Sequence, residues 1–209
     1  MGSRGGDAFA ALKIGNFVKD KKLSIKVPSL CLSVCAHYIF PAANFKYIGK
    51  NALIGFHWPD ISGTKLSLEE FLTSISVNSN KLKIDSNDLI QTETRQLPAA
   101  CILPPELATT PVQREKTIQD TIKSCAKHLN RQTRFFYKKV GVDLRLLEAG
   151  IPKLKQAITQ NNSEIHWYYY DLESLEAFGV ERVIYPHDWA PQNNPEYKNM
   201  IEIKLRDWQ

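Results

Sequence analysis

The chain has no apolar run approaching the roughly 20 residues that a membrane-spanning helix needs. It also has no arginine-rich run and no interleaving of basic with aromatic residues. The first absence argues against a membrane span. The second argues against a nucleic-acid partner, because a phosphate backbone is held by clustered basic side chains. The basic residues here are scattered: Lys19, Lys21, Lys22 and Lys26 early, Lys81 and Lys83 midway, Lys138 and Lys139 later. A formal charge of +5 spread over 209 residues in this way reads as a solvated surface. There are only four cysteines, and none falls in a Cys/His cluster with zinc-ligand spacing. Neither a metal nor a cofactor is expected. The first residues do not read as a secretory leader.

What is present is ordinary globular composition, 43% hydrophobic and 23% charged, in a chain long enough to bury a real core. A single domain over 1–209 is expected. Residues 7–19 read as a helix, with Asp7 suited to its start and Ala8, Ala11, Leu12, Gly15 and Val18 on one face. Leu23 to Val27 reads as a strand stopped by Pro28, and residues 29–32 as a lead into a helix that Ser33 opens and Pro41 and Asn44 close. Ala52 to Phe56 is an apolar run without alternation, as in a strand buried on both faces. Helix, strand, helix, strand is the rhythm of a parallel α/β sheet.

Residues 58–110 carry weaker signals: a helix over Ser67 to Val77, a polar loop to Asp88, and a proline-rich linker from Leu97 to Pro111. Thr110-Pro111-Val112-Gln113 then combines a cap, a proline at the first helical position and a capping-box glutamine. Helical spacing of Ile118, Ile122, Cys125, Leu129, Phe136 and Val140 runs on to a stop at Gly141. Such a rod, about 45 Å long, exceeds what one small sheet domain covers. Its apolar stripe predicts contact with a second subunit through Phe136 and Val140, or through Ile118 and Ile122, with Leu129 in the core. Beyond it come short helices over 143–160, a strand Ile165 to Tyr170, a helix Leu172 to Phe178 ended by Gly179, a strand Val180 to Tyr185, and an alternating edge strand Met200 to Leu205.

Three pieces carry chemistry: Gly5-Gly6-Asp7, Cys31-Leu32-Ser33-Val34-Cys35 and Gly55-Phe56-His57. Taken singly, the glycines are a sharp turn, Ser33 is a helix cap worth about 1 kcal/mol, and His57 is a packed histidine. Taken in order, they are the parts of an acyl-transfer site. Bare backbone can approach an oxyanion, a hydroxyl stands at a helix start, and an imidazole ends a buried strand. A serine hydroxyl is a weak nucleophile until a base takes its proton, so Ser33 needs His57.

The order Ser-Arg-Gly-Gly-Asp-Ala at 3–8, Cys-Leu-Ser-Val-Cys-Ala at 31–36 and Ile-Gly-Phe-His at 54–57 resembles the Clp protease proteolytic-subunit superfamily, with the ClpP/crotonase fold. It is most similar to the secreted or periplasmic ClpP-like branch whose serine lies between two cysteines. The resemblance covers 3–57 well and 135–185 loosely, leaving 58–110 as a poorly matched insertion or linker. It implies an α/β fold with a parallel sheet, flanking helices and one long helix. It further implies a serine hydrolase of peptidase type, acting on a peptide or protein substrate. Ser33 would be the nucleophile, His57 the base, and the N–H groups of Val34 and of Gly5 or Gly6 the oxyanion hole.

The family's orienting acid falls here at Trp167, flanked by His166 and Tyr168, with Glu164, Asp171 and Asp60 as neighbouring candidates. None is assigned. The family's core strands before the Gly-Gly turn have no counterpart, so an N-terminally truncated sheet with an open edge beside residues 23–27 is expected, together with homo-oligomers. Periplasmic or secreted localisation follows from the branch, while the missing leader leaves the cytoplasm open. The rival reading is a non-catalytic ClpP-like protein acting in assembly or partner binding, and a crotonase-type acyl-CoA enzyme, which needs no Ser-His pair, comes third. Cys31 and Cys35 have two readings: on one helix, residues four apart stand too far apart for a disulfide, whereas Cys31 placed ahead of the helix leaves a strained bridge open in an oxidising compartment; two free, buried thiols are the expectation. Cys125 is expected as a small buried hydrophobe.

Overall fold

The computed structural model describes residues 2–57, 111–159, 165 and 167–207, and of the long helix only some side chains in its first half. The chain forms two compact units, Met1–Pro59 with Arg134–Gln209, and Asp60–Thr133. The helix, loop and linker expected between residues 58 and 110 lie outside the described residues.

The first unit is mixed α/β with short parallel strands. Helix α1 spans Ala8–Asp20, capped by Asp7, whose carboxylate accepts from the Ala10 N–H, and it buries Ala11, Leu12, Gly15 and Val18. Two strands follow on either side of Pro28-Ser29: β1 at Ile25–Val27 and β2 at Leu30–Leu32. A π-helical turn at Cys35–Ile39 runs into the short helix α2, Phe40–Ala42. Then come β3 at Lys46–Ile48 and β4 at Leu53–Gly55. β2 and β3 are corrections to the reading above. Three residues are too few to show a period, and Leu30 to Leu32 sits where the sequence looks like a lead-in to the helix.

After the long helix α3, Pro111–Val140, come a 3₁₀ turn at Leu144–Leu147 and α4 at Ile151–Thr159. β5 is Trp167–Tyr170, α5 is Leu172–Ala177, β6 is Val183–Ile184 and β7 is Met200–Ile203. Gly141 and Gly179 stop their helices with φ of +80° and +82°, a left-handed backbone that costs glycine little. All the strand pairs are parallel, in the order β1-β3-β6 in one sheet and as β2-β4 and β5-β7. Ser3 bridges Cys31 on the side of β2 away from β4, and an antiparallel bridge between Phe56 and Tyr168 joins the β4 end to β5. Among the described residues β1 is an edge, bonded only to β3.

The core fills the space between these layers with Tyr38, Phe40, Phe56, Tyr137, Tyr168 and Phe178, each almost wholly buried. Buried hydroxyls need partners, and these find backbone carbonyls: Tyr137 donates to His37, Tyr168 to Leu147 and Tyr170 to Leu146, at 2.8–2.9 Å. The end of α3 belongs to this core. Phe136 and Val140 are 2% and 9% exposed, so the subunit contact expected through them does not form there; they are covered within the chain. The Phe136 ring meets Tyr38 edge-on at 5.6 Å. α1 comes so close that a Cβ on Gly15 would stand 2.4 Å from the Tyr38 carbonyl oxygen. A helix too long for one small sheet still buries its last turns, because α1 supplies a second wall.

In the second unit the description covers α3 as far as Thr133, where Leu129 is half-buried and the Thr121 hydroxyl donates to the Thr117 carbonyl. The side chains of Ile118 and Ile122 lie outside the described residues. No described helix is long and apolar enough to cross a membrane.

Candidate active site

Parallel pairing brings the carboxyl ends of neighbouring strands together, the usual location of sites in open α/β sheets. β2 and β4 are paired with Leu32 opposite Gly55. The chain therefore leaves both strands at one place, with Ser33 immediately after β2 and His57 two residues after β4. The Ser33 N–H donates to the Gly55 carbonyl at 2.9 Å, holding the two exits together. Ser33 itself has φ of +57°, a left-handed conformation that is uncommon for a serine and concentrated at turns and functional sites.

The result is a hydrogen bond of 2.6 Å between Ser33 Oγ and His57 Nε2. For Nε2 to accept from the hydroxyl, the ring proton must sit on Nδ1. The helix-cap reading of Ser33 fails: the π-helical turn starts after Val34 with no side-chain cap, and the Ser33 hydroxyl is turned to the histidine.

Gly5 lies against Ser33. A Cβ added there would stand 2.7 Å from Ser33 Cβ and 3.1 Å from its Oγ, and its φ of +111° disfavours any other residue. The Gly5 N–H donates to Ser3 Oγ at 3.2 Å, so in this state it is not turned to an oxyanion. The N–H groups of Gly6 and Val34 have no acceptor among the described residues. The expected oxyanion set thus divides: Gly6 and Val34 keep their donors, while Gly5 supplies room.

Behind His57 stands Trp167, at the place counted for the acid. The antiparallel bridge between Phe56 and Tyr168 sets the two side by side, with ring centroids 4.7 Å apart and planes at 85°. An indole edge can fix the tilt of an imidazole but carries no charge to balance a proton on it. Asp171 is committed elsewhere, capping α5 by accepting from the Ser174 N–H at 2.9 Å. Glu164, His166 and Asp60 lie outside the described residues.

A second histidine escaped the sequence reading. His37 is 1% exposed, stacks on Phe56 at 5.7 Å and tilts against His57 at 5.9 Å. Both of its ring nitrogens are buried without a hydrogen-bond partner among the described residues. Burial, reinforced by a repulsive His57 nearby, lowers its pKa from 6.5 to about 3; the His57 backbone is close enough to favour a proton slightly, and burial prevails. His37 is thus neutral beside the pair. Its backbone N–H donates to the Ser33 carbonyl at 2.9 Å, and its place four residues after Ser33 was the available signal.

The cysteines are a further correction. Cys31 and Cys35 form a disulfide with Cα atoms 5.3 Å apart, instead of two free thiols. The helical-spacing argument does not apply, because Cys31 belongs to β2 and the left-handed turn at Ser33 folds Cys35 back towards it. Cys125 is buried as expected but disulfide-bonded, its partner lying outside the described residues. Among the described residues no group of three or more His, Cys, Asp and Glu side chains could hold a metal ion. Comparison of the chain with protein-family models, with characterised proteins and with solved structures finds no match.

Proposed function

We propose that the chain is a ClpP-like serine hydrolase of peptidase type, with Ser33 as nucleophile and His57 as general base. The observation that carries this reading is the 2.6 Å bond from Ser33 Oγ to His57 Nε2, at the shared exit of two parallel strands. In the reaction Ser33 Oγ attacks an acyl carbonyl while its proton passes to Nε2. The developing oxyanion takes up the N–H groups of Gly6 and Val34, donors typically worth about 10²–10³ in rate each. His57 returns the proton to the leaving amine, and then activates a water that releases the acyl group from Ser33. The disulfide at Cys31–Cys35 agrees with the exported branch that the sequence resembles, since such bridges persist in oxidising compartments.

One observation favours a second reading, a non-catalytic relative acting in assembly or partner binding: the acid position holds Trp167. In Ser-His-Asp enzymes, loss of the acid costs about 10⁴ in turnover.

The test is labelling of the full chain by a fluorophosphonate, with the site located by peptide mapping. The hydrolase reading expects the label on Ser33, absent from Ser33→Ala and strongly slowed in His57→Ala. No label above the Ser33→Ala background would overturn it in favour of the binding protein.

A further inference from the structure

The disulfide brackets the candidate nucleophile two residues away on each side, and the reaction above makes no use of it. Cys31 is the fixed end. It sits in β2 opposite Ile54, with Ser3 bridged to its other side, and its side chain is fully buried. Cys35 is the first residue of the π-helical turn, and it too is fully buried. Between them only Leu32 belongs to a strand. Ser33 holds its left-handed φ with two backbone bonds, from its N–H to Gly55 and from the His37 N–H to its carbonyl, both 2.9 Å. Among the described residues the Val34 N–H has no acceptor and the turn after it no side-chain cap.

An L-residue left to itself relaxes from the left-handed region to the right-handed one. At Ser33 that change would re-aim Oγ, away from a histidine fixed on another strand. Such a relaxation must carry Cys35 away from Cys31, and the bridge forbids it. As a global staple the same bridge is of the weak kind, because the loop it closes is very short.

We propose that the Cys31–Cys35 disulfide is a positioning element, holding Ser33 in the conformation that keeps Oγ on His57, so that opening the bridge switches the site off while the chain stays folded. This rests on the reading of Ser33 as a nucleophile. Opening takes two electrons and two protons. A dithiol such as dithiothreitol supplies both, leaving as its cyclic disulfide while the cysteines become thiols.

The experiment compares fluorophosphonate labelling of the oxidised full chain, of the chain reduced by dithiothreitol and then reoxidised, and of Cys31→Ala/Cys35→Ala. The double variant is needed because the dithiol also opens the bridge made by Cys125. A second pair, Cys31→Val/Cys35→Ala, guards against a packing defect in the strand. Misplacing a reacting atom by about 1 Å can cost 10²-fold, so the maximal labelling rate should fall by about that factor. The half-saturating probe concentration, the near-UV dichroism and the melting midpoint should stay near those of the oxidised chain, and reoxidation should restore the rate. Wild-type labelling rates in the bridge-free variants would overturn the proposal while leaving the hydrolase reading intact. Loss of labelling together with loss of the folded signal in both pairs would make the bridge a fold staple and also overturn it. Failure of the oxidised chain to label at all would remove the hydrolase reading, and this inference with it.

Discussion

The sheet β2-β4 and the sheet β1-β3-β6 are built from the same parts, short parallel strands entered or left through left-handed residues, yet they end differently. Ahead of the second sheet, Lys22 and Arg182 take φ of +50° and +55° with their side chains in solvent, and the polar groups nearby are matched. Lys46 reaches up from β3 to give its ammonium to the carbonyls of Ala43 and Glu181, each at 2.8 Å, and Arg182 donates to Asn44. At the β2-β4 exit the left-handed residue is Ser33, enclosed at 8% exposure, beside a buried histidine whose ring nitrogens have no partner among the described residues. Backbone strain alone does not mark a site, since both sheets have it. What sets one apart is strain combined with a polar ring left unmatched where water is scarce, an arrangement that folding alone would not favour.

The largest effect is expected from Gly5→Ala. The new Cβ would have to displace the Ser33 side chain, because the closest atom it meets is Ser33 Cβ at 2.7 Å. Labelling should slow by about 10²–10³, the cost of a misplaced nucleophile and its oxyanion donors, and unfolding by urea should come about 1–3 kcal/mol more easily, because an alanine is strained at this φ. A wild-type rate in this variant would mean that the turn and the serine are independent, and the contrast between the two sheets would lose its functional meaning.

Much of this arrangement was legible in the sequence, and the failures have physical causes. α1, the end of α3, β4, β5 and α5 announce themselves through caps, periods and glycine stops. β2 and β3 do not, at three residues each. The pairing of Ser33 with His57 was legible only as an order of motifs, since nothing local says that two strand ends meet. The expectation of free thiols fails at Cys31 and Cys35 because the chain makes a left-handed turn at Ser33, which the spacing of the cysteines does not show. Phe136 and Val140 were read as a surface because the wall that covers them, α1, lies more than a hundred residues earlier. Trp167 stands with its ring against His57, but what an indole does for a histidine is not written in its position.

His37 extends the comparison to acid. Burial lowers its pKa from 6.5 to about 3, and the groups facing it are His57, Tyr38 and Phe56, with Tyr137 on its carbonyl. Between those two pH values the unfolded chain binds a proton that the folded one does not, so stability rises with pH across the window and is eroded as pH falls through it. From pH 7 to pH 5 the loss due to this one group is about 2 kcal/mol. His37→Leu should abolish that increment, so its urea midpoint should hold between pH 7 and pH 5 better than that of the wild type. Parallel loss in both proteins would show that His37 takes up its proton in the fold and is less enclosed than its neighbours imply.

Trp167 is expected to matter less. Its edge contact can fix the tilt of His57 without stabilising a charge. Trp167→Ala should lower the labelling rate by about tenfold, close to 1.4 kcal/mol, and Trp167→Phe, which keeps an aromatic edge, should retain most of it. Equal rates in all three proteins would mean that His57 is oriented by something other than this ring.

The smallest effect belongs to the matched sheet, and Lys46 tests whether it is matched. Burial, with Lys19 adding to it and Glu181 opposing, lowers the Lys46 pKa from 10.5 to about 8. At pH 7 the ammonium is therefore present and donates to two carbonyls. Lys46→Met removes both bonds, at about 1 kcal/mol each, and also removes the cost of enclosing a charge. A net loss of about 1 kcal/mol at pH 7 follows from that partial cancellation. The sign of the pH dependence is independent of the size. A folded pKa below the unfolded one means that from pH 8 to pH 10 the unfolded chain keeps a proton the folded chain gives up, so wild-type stability rises over that range. Lys46→Met lacks the group and should not share the rise. Urea midpoints of the two proteins at pH 7 and pH 9.5 decide the matter: the gap between them should widen as pH increases. Labelling at Ser33 should stay the same throughout, because no step assigned to the site draws on this sheet. A fall in labelling with Lys46→Met would mean that the two sheets are coupled and that the boundary between scaffold and site is drawn in the wrong place.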